Sequence, residues 1–144
     1  MKVLIINGPN LNLLGVREPE IYGSQTYADL LAYIGDYCAG QEIEPQFFQS
    51  NHEGAIIDVI QGAYGTMDGI VINPAAYSHT SIAILDALKA VGLPTVEVHL
   101  SDIAGREPFR HHSYISQACL STISGRHFEG YVEALRLLRQ AVNK

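Results

Sequence analysis

Lys2-Val3-Leu4-Ile5-Ile6 runs directly into Asn7-Gly8-Pro9-Asn10-Leu11-Asn12-Leu13-Leu14-Gly15-Val16-Arg17-Glu18-Pro19-Glu20-Ile21-Tyr22-Gly23, and a helical period begins at Tyr27. The nearly unbroken apolar run suits a strand buried on both faces, as in a parallel sheet. A strand feeding a helix is the opening of a β-α unit, so this stretch sets the expectation for the fold. The connection is unusually long. Such loops normally take about 2–6 residues, and longer ones tend to be lids or binding loops. Residues 8–24 carry amides, an arginine and a tyrosine among glycines and prolines that can hinge. Those are the parts of a mobile cover over an anionic substrate.

The rest of the chain repeats the alternation. Apolar runs recur at residues 43–48, 69–72, 94–98 and 118–123. Between them lie helical stripes. The first contains Tyr27, Leu30, Leu31, Ile34 and Cys38, and the second Ile56, Ile57, Ile60 and Tyr64. A third uses Ile82, Leu85, Leu88 and Val91, stopped by Gly92 and Pro94, and a last uses Phe128, Val132, Leu135, Leu138 and Val142. Thr26-x-x-Asp29 and Ser50-x-x-Glu53 read as capping boxes, in which hydroxyl and carboxylate satisfy free amides of a first helical turn. Five β-α units predict an α/β fold: a flavodoxin-like, doubly wound, five-stranded parallel sheet in a single domain spanning 1–144. Ligands in such sheets bind outside the carboxyl ends of the strands. The polar clusters fall there, at Asn10 to Tyr22, Ser50 to Glu53, Asn73 to His79 and His99 to Arg110, while the linkers before strands are chemically plain.

Composition narrows the partners. A formal net charge of -6 argues against nucleic acid or an anionic membrane, which need a basic field. No apolar run approaches the ~20 residues that span a bilayer. The chain opens directly in a strand, so no secretory leader and a cytoplasmic setting are expected. Cys38 and Cys119 lie within apolar patterns and read as two buried thiols. The histidines lack metal-site spacing, and adjacent His111 and His112 cannot easily face one ion, so no metal is expected. Glycine-rich nucleotide loops are absent as well.

Chemistry concentrates in three strand-end segments. Glu97 and His99 are two apart, hence on one face of a strand. A carboxylate beside an imidazole favours the protonated ring and fixes it, which suits a general acid. Leu100 and Ser101 follow with backbone amides that can receive a carboxylate. Arg17, Arg106 and Arg110 bring three of the nine basic residues to one rim, and guanidinium matches carboxylate geometry. Segment 73–81 offers Asn73, His79 and small polar residues for hydroxyl recognition, with Ser78 open to a simple capping role. Tyr22 is the candidate base. Its phenol, with an ordinary pKa of about 10, needs a drop of ~3 units, or roughly 4 kcal/mol. A guanidinium ~4 Å away contributes only ~1 kcal/mol in water but ~4 at an effective dielectric near 20, so Arg17 could activate Tyr22 once a closing loop excludes water.

These segments, with Gln49-to-Gly54 and Ile72-to-Ser81, resemble type II 3-dehydroquinate dehydratases over essentially the whole chain and in the same order. The resemblance implies reversible dehydration of 3-dehydroquinate to 3-dehydroshikimate through an enolate, in the shikimate or quinate pathway. It implies no cofactor, and a dodecamer built as four trimers. By position it makes Tyr22 the base, with Arg17 keeping the phenol acidic. Asn10 would hold the water that supports the enolate oxygen. His99 would protonate the departing hydroxyl. Asn73, His79, Leu100, Ser101 and Arg110 would hold the substrate, and Asp86 would reach a neighbouring subunit's site. One departure is Asp102, where the family more often has Asn; an anion there would weaken carboxylate binding slightly. The absence of lysine from the strand-end loops argues against imine chemistry, since the lysines are Lys2, Lys89 and Lys144. A lyase acting on another small hydroxy-acid is one competing reading. A non-catalytic flavodoxin-like anion-binding or receiver module is another. A receiver would want acidic residues after the first strand and a lysine after the fifth, where this chain has Asn10 with Arg17 and Ser124-Gly125-Arg126.

Overall fold

Alternation along the strands sorts the core into two layers. In β1 (Lys2–Asn7), Val3 and Ile5 face one way, Leu4 and Ile6 the other, and all four are buried. The same split holds in β3 (Gly69–Asn73), with Val71 on one side and Ile70 and Ile72 on the other. One layer is covered by α2 (Tyr27–Ala39) and α5 (Glu129–Val142), through Leu30, Ile34, Leu135 and Leu138. The opposite layer is covered by α3 (Glu53–Gly62) and α4 (Ile82–Val91), through Ile56, Ile60, Ile84, Leu85 and Leu88. Strands buried on both faces need continuous apolar sequence, which is what β1 and β3 have.

The structure is a computed structural model that describes residues 1–16, 19–22 and 24–144, Ile21 and Tyr22 by backbone only. With β2 (Glu44–Gln49), β4 (Thr95–His99) and β5 (Ser121–Ser124), the strands form one parallel sheet in the order β2-β1-β3-β4-β5. The doubly wound, flavodoxin-like single domain expected from the sequence is therefore the observed one. A short helix, α1 (Pro19–Tyr22), interrupts the long connection after β1.

Several local expectations are revised. The fifth apolar run, 118–123, is only half strand, because Ile115–Ala118 forms a 3-10 turn and pairing begins at Ser121. β2 and β5 are edge strands, and of their residues only Ile123 is buried. Thr26 and Asp29 do form a reciprocal capping box on α2. Ser50 and Glu53 do not. The residue capping α3 is His52, Ser50 Oγ accepts from the His52 amide at 2.9 Å, and the Glu53 carboxylate is drawn away by the Ser81 hydroxyl at 2.5 Å. A partner across the fold outcompetes the local cap. Tyr64 lies beyond the end of α3, and Ile82 sits on the solvent side of α4, so both apolar stripes are shorter than their periodicity suggests. Gly92 ends α4 in the left-handed conformation, at φ 70°. Of the two free thiols, Cys38 is buried and Cys119 only partly so.

One close approach locks the loops after β1 and β3 together. The Gly8 amide donates to the Asn73 carbonyl at 2.8 Å, and a Cβ on Gly8 would lie 2.6 Å from the Pro74 carbonyl oxygen. Both clashing groups are backbone. Gly8→Ala is expected to destabilise the fold by about 1–3 kcal/mol, as overpacking does. Chemical denaturation measures this, and an unchanged midpoint would show that the loops can separate freely.

Candidate active site

In a sheet of this order the chain reverses direction between β1 and β3, and the helices diverge there to leave a crevice at the strand ends. The structure has its polar cleft at that place. A space of about 480 Å³, open to solvent, lies among Asn10 after β1, Asn73 and His79 at and after β3, and His99, Ser101 and Arg110 at and after β4. Leu100, Ala75, Ala76 and Arg106 are also part of its walls. Three strand ends thus supply the site. The loop after β2 instead braces it. Asn51 accepts from the Asn10 amide at 3.0 Å, and its carbonyl accepts from the Tyr77 hydroxyl at 3.0 Å.

The floor is built by β4. Its alternation puts Val96 and Val98 in the α2/α5 core and leaves Thr95, Glu97 and His99 on the other face, all buried. Glu97 is fully buried, and a buried carboxylate costs several kcal/mol unless its lone pairs are satisfied. They are. Ser113 Oγ donates to both oxygens at 3.0 and 2.9 Å, Ser78 Oγ to one at 3.2 Å, and Thr122 Oγ1 to the other at 3.5 Å. His99 Nε2 lies 2.5 Å from Glu97 Oε2. A carboxylate only accepts, so this contact places the ring proton on Nε2. In the charged imidazolium the other proton is on Nδ1, and that is the one the ring can hand over.

His79 is fixed the opposite way round. Its Nδ1 lies 2.7 Å from the His112 carbonyl, which can only accept, so Nδ1 carries the proton and Nε2 remains an acceptor when the ring is neutral. The two rings lie nearly parallel, 6.4 Å apart between centroids. Asn73 accepts from the Ala75 amide through Oδ1 at 3.1 Å. Ala75 holds φ 53° and Asn10 φ 70°, so non-glycine residues adopt the left-handed conformation on both sides of the cleft. For alanine that is a strained choice, and such strain gathers at sites.

Beyond His99, the Leu100 and Ser101 carbonyls accept from the His127 and Gly125 amides at 3.1 Å each. Neither the Leu100 nor the Ser101 amide donates to a described loop or side-chain acceptor, which leaves both for a ligand. Arg106 Nη1 donates to Ser101 Oγ at 3.3 Å. Arg110 Nε donates to Glu107 Oε2 at 2.7 Å, and that hydrogen bond is the chief reason the Glu107 carboxyl is held below the usual range. Both guanidiniums line the cleft, with Arg106 the less exposed. Asp102 is not in its wall. Its Oδ1 accepts from the Ala104 amide at 3.0 Å, capping a 3-10 turn as Asn could.

Asp86 lies on the exposed face of α4 and outside the cleft of its own chain. Arg17 and the Tyr22 side chain lie outside the described residues. Sequence reasoning missed Ser113 and Thr122, and offered Ser78 only as a cap. Ser78 is no helix cap; that is Ser81, which accepts from the Ile84 amide at 3.0 Å. The signal available was small, since isolated hydroxyls reveal a shared acceptor only once the chain is folded. Other nucleophiles are weak. The Cys119 thiol is pushed up to about 12, first by burial and then by the charge of Glu97. Among the described residues no cluster of His, Cys, Asp or Glu could hold a metal ion, and no helix is long and apolar enough to cross a membrane.

Comparison with known proteins gives this geometry its context. Residues 1–139 match the family model described as Dehydroquinase class II. The chain is 51% identical over 144 residues to the 3-dehydroquinate dehydratase of Clostridium acetobutylicum, with all of both chains covered. It is 56% identical over 129 residues to catabolic 3-dehydroquinase 1 of Aspergillus terreus, covering 90% of this chain and 85% of that one. The crystal structure of type II dehydroquinase from Butyrivibrio crossotus superposes with a TM-score of 0.95 at 51% identity, covering 96% and 97% of the two chains. A strand-end cleft with a histidine seated on a buried carboxylate, in a chain related along its full length to these enzymes, places the protein in the class II dehydroquinase family.

Proposed function

We propose that the chain dehydrates 3-dehydroquinate to 3-dehydroshikimate by anti elimination through an enolate. The full-length relation to proteins named 3-dehydroquinate dehydratase carries this reading. The cleft geometry supports the roles given to Asn10 and His99, and the family resemblance supplies those of Tyr22 and Arg17. Tyr22, as phenolate, takes the proton alpha to the ketone, and the released electron pair forms the enolate. Asn10 helps hold a water against the enolate oxygen. The enolate then re-forms the ketone and expels the hydroxyl beta to it. His99 gives that hydroxyl its Nδ1 proton, so water leaves and a conjugated double bond remains. Proton return from Tyr22 to His99 through solvent resets the site. No nucleophile or imine is needed, because the intermediate asks only for a base, an acid and donors to oxygen.

The substrate carboxylate is assigned to the Leu100 and Ser101 amides with the Ser101 hydroxyl. Its ring hydroxyls are assigned to Asn73, His79 and Arg110. Arg17 lowers the cost of ionising Tyr22 once the 8–24 loop closes over the cleft as a lid, its start held in place by the Gly8–Asn73 contact. Glu97 is a positioning residue that keeps the His99 Nε2 proton engaged. Asp86 is assigned to the site of a neighbouring subunit in a dodecamer of four trimers. What supports this is its place on α4, one helical turn from Ile82, an apolar side chain 54% exposed. The two free thiols fit the reducing cytoplasm, where we place the enzyme.

Absorbance in the enone band should rise when 3-dehydroquinate is added to the folded protein, and a flat trace would remove the reading. Tyr22→Phe should abolish nearly all turnover yet keep affinity for a carboxylate-bearing inhibitor; undiminished rates would assign the base elsewhere. Glu97→Gln should lower kcat at least about tenfold with a smaller change in KM, as losing one hydrogen bond to a charged group implies. Equal effects on both constants would mean that Glu97 serves only the fold. Sedimentation should find an assembly many times the monomer mass, and a fully active monomer would exclude a role for Asp86 across subunits.

A further inference from the structure

The α2/α5 layer contains a buried polar chain of which the proposed mechanism uses only one end, Asn73. β1 and β3 end in Asn7 and Asn73, which are partners in the sheet register. Both follow the alternation that turns Val3, Ile5 and Val71 toward α5. There they meet Tyr131, in the first turn of α5, which is fully buried. The Tyr131 hydroxyl donates to Asn7 Oδ1 at 2.6 Å and accepts from Asn73 Nδ2 at 3.1 Å. The Asn7 nitrogen has no hydrogen-bond partner among the described residues, although the Tyr27 phenol interacts with that side chain.

We propose that Tyr131 is a positioning residue for substrate binding, orienting the Asn73 amide through a phenol–amide chain anchored on Asn7. The inference rests on the reading of Asn73 as a substrate contact. A phenol has one proton. Asn7 takes it with a carbonyl oxygen, so the Tyr131 oxygen can only accept from Asn73. That forces the Asn73 nitrogen inward and its oxygen onto the Ala75 amide. One N–H and one lone pair remain, in a fixed order, to face a hydroxyl in the cleft. Burial holds the Tyr131 phenol well above its usual pKa, so the hydroxyl keeps this proton at neutral pH.

A purely structural role fits poorly with the cost. A buried amide is an expensive way to fill a core position that leucine could fill. The Asn7 oxygen is the useful atom, because it sets the direction of the Tyr131 O–H. Without that hydroxyl, only the Ala75 contact would oppose a 180° flip of the Asn73 amide, which would present a donor where the substrate meets an acceptor.

The test is a double-mutant cycle on the assembled enzyme, with Tyr131→Phe, Asn73→Ala and the pair, read in KM, kcat and the Kd of a non-reacting hydroxy-carboxylate inhibitor. Tyr131→Phe alone should raise KM and Kd about tenfold, the range for one hydrogen bond, with a smaller change in kcat. In the Asn73→Ala background the same substitution should add almost nothing. An equal loss in both backgrounds, or an unchanged KM, would overturn the proposal. Should Tyr131→Phe fail to fold, Asn7→Ser removes the acceptor that directs the hydroxyl, and the same non-additivity with Asn73→Ala is required. A wild-type protein that binds the inhibitor but shows no turnover would refute the dehydratase reading, while the Kd cycle would still decide the role of Tyr131.

Discussion

A carboxylate with no exposure organises this site. Glu97 sits inside the sheet–helix layer, and taking it out of water is tolerable only because three hydroxyls and an imidazole converge on it. Those groups come from four places: Ser78 after β3, His99 at the end of β4, Ser113 in the loop before β5, and Thr122 in β5. Satisfying one buried anion therefore ties the ends of β3 and β4 to β5 and the loop before it. It also leaves the His99 ring a single arrangement, with one nitrogen on the carboxylate and the other available for proton transfer. The neighbouring apolar core could hold the sheet without Glu97. It could not set the direction of a ring proton.

The fold was legible because each strand and helix obeys its own period. Val3 to Ile6 and Gly69 to Ile72 read as doubly buried strands and are. The capping box at Thr26 was readable because all of its partners lie within four residues. The same pattern at Ser50 misled, since Glu53 bonds to Ser81, 28 positions away. Local rules decide where nothing distant competes. The start of β5 and the exposure of Ile82 were misread for a similar reason, because both depend on what the folded chain places beside them.

The site divides along the same line. Glu97 and His99 were found by spacing alone, since two residues on a strand share a face whatever the rest of the chain does. Arg106, Arg110 and the 100–101 amides were placed at the rim by the rule that ligands sit at strand carboxyl ends. The hydroxyls around Glu97 and the Asn7–Tyr131–Asn73 chain carry no spacing signal, because sequence separations of 16 to 124 residues bring them together. Asp86 was recognised only through family resemblance, and on its own chain it is an exposed helix charge.

In the proposed mechanism His99, seated on Glu97, delivers the proton that lets the hydroxyl leave. A crystal structure of the enzyme with a non-dehydratable hydroxy-carboxylate analogue of dehydroquinate tests it most directly. The expected result has the carboxylate on the Leu100 and Ser101 amides and the hydroxyl that would leave within about 3 Å of His99 Nδ1, with Nε2 still on Glu97. A ligand whose hydroxyl faces another proton donor, with His99 beyond hydrogen-bond reach, would contradict it.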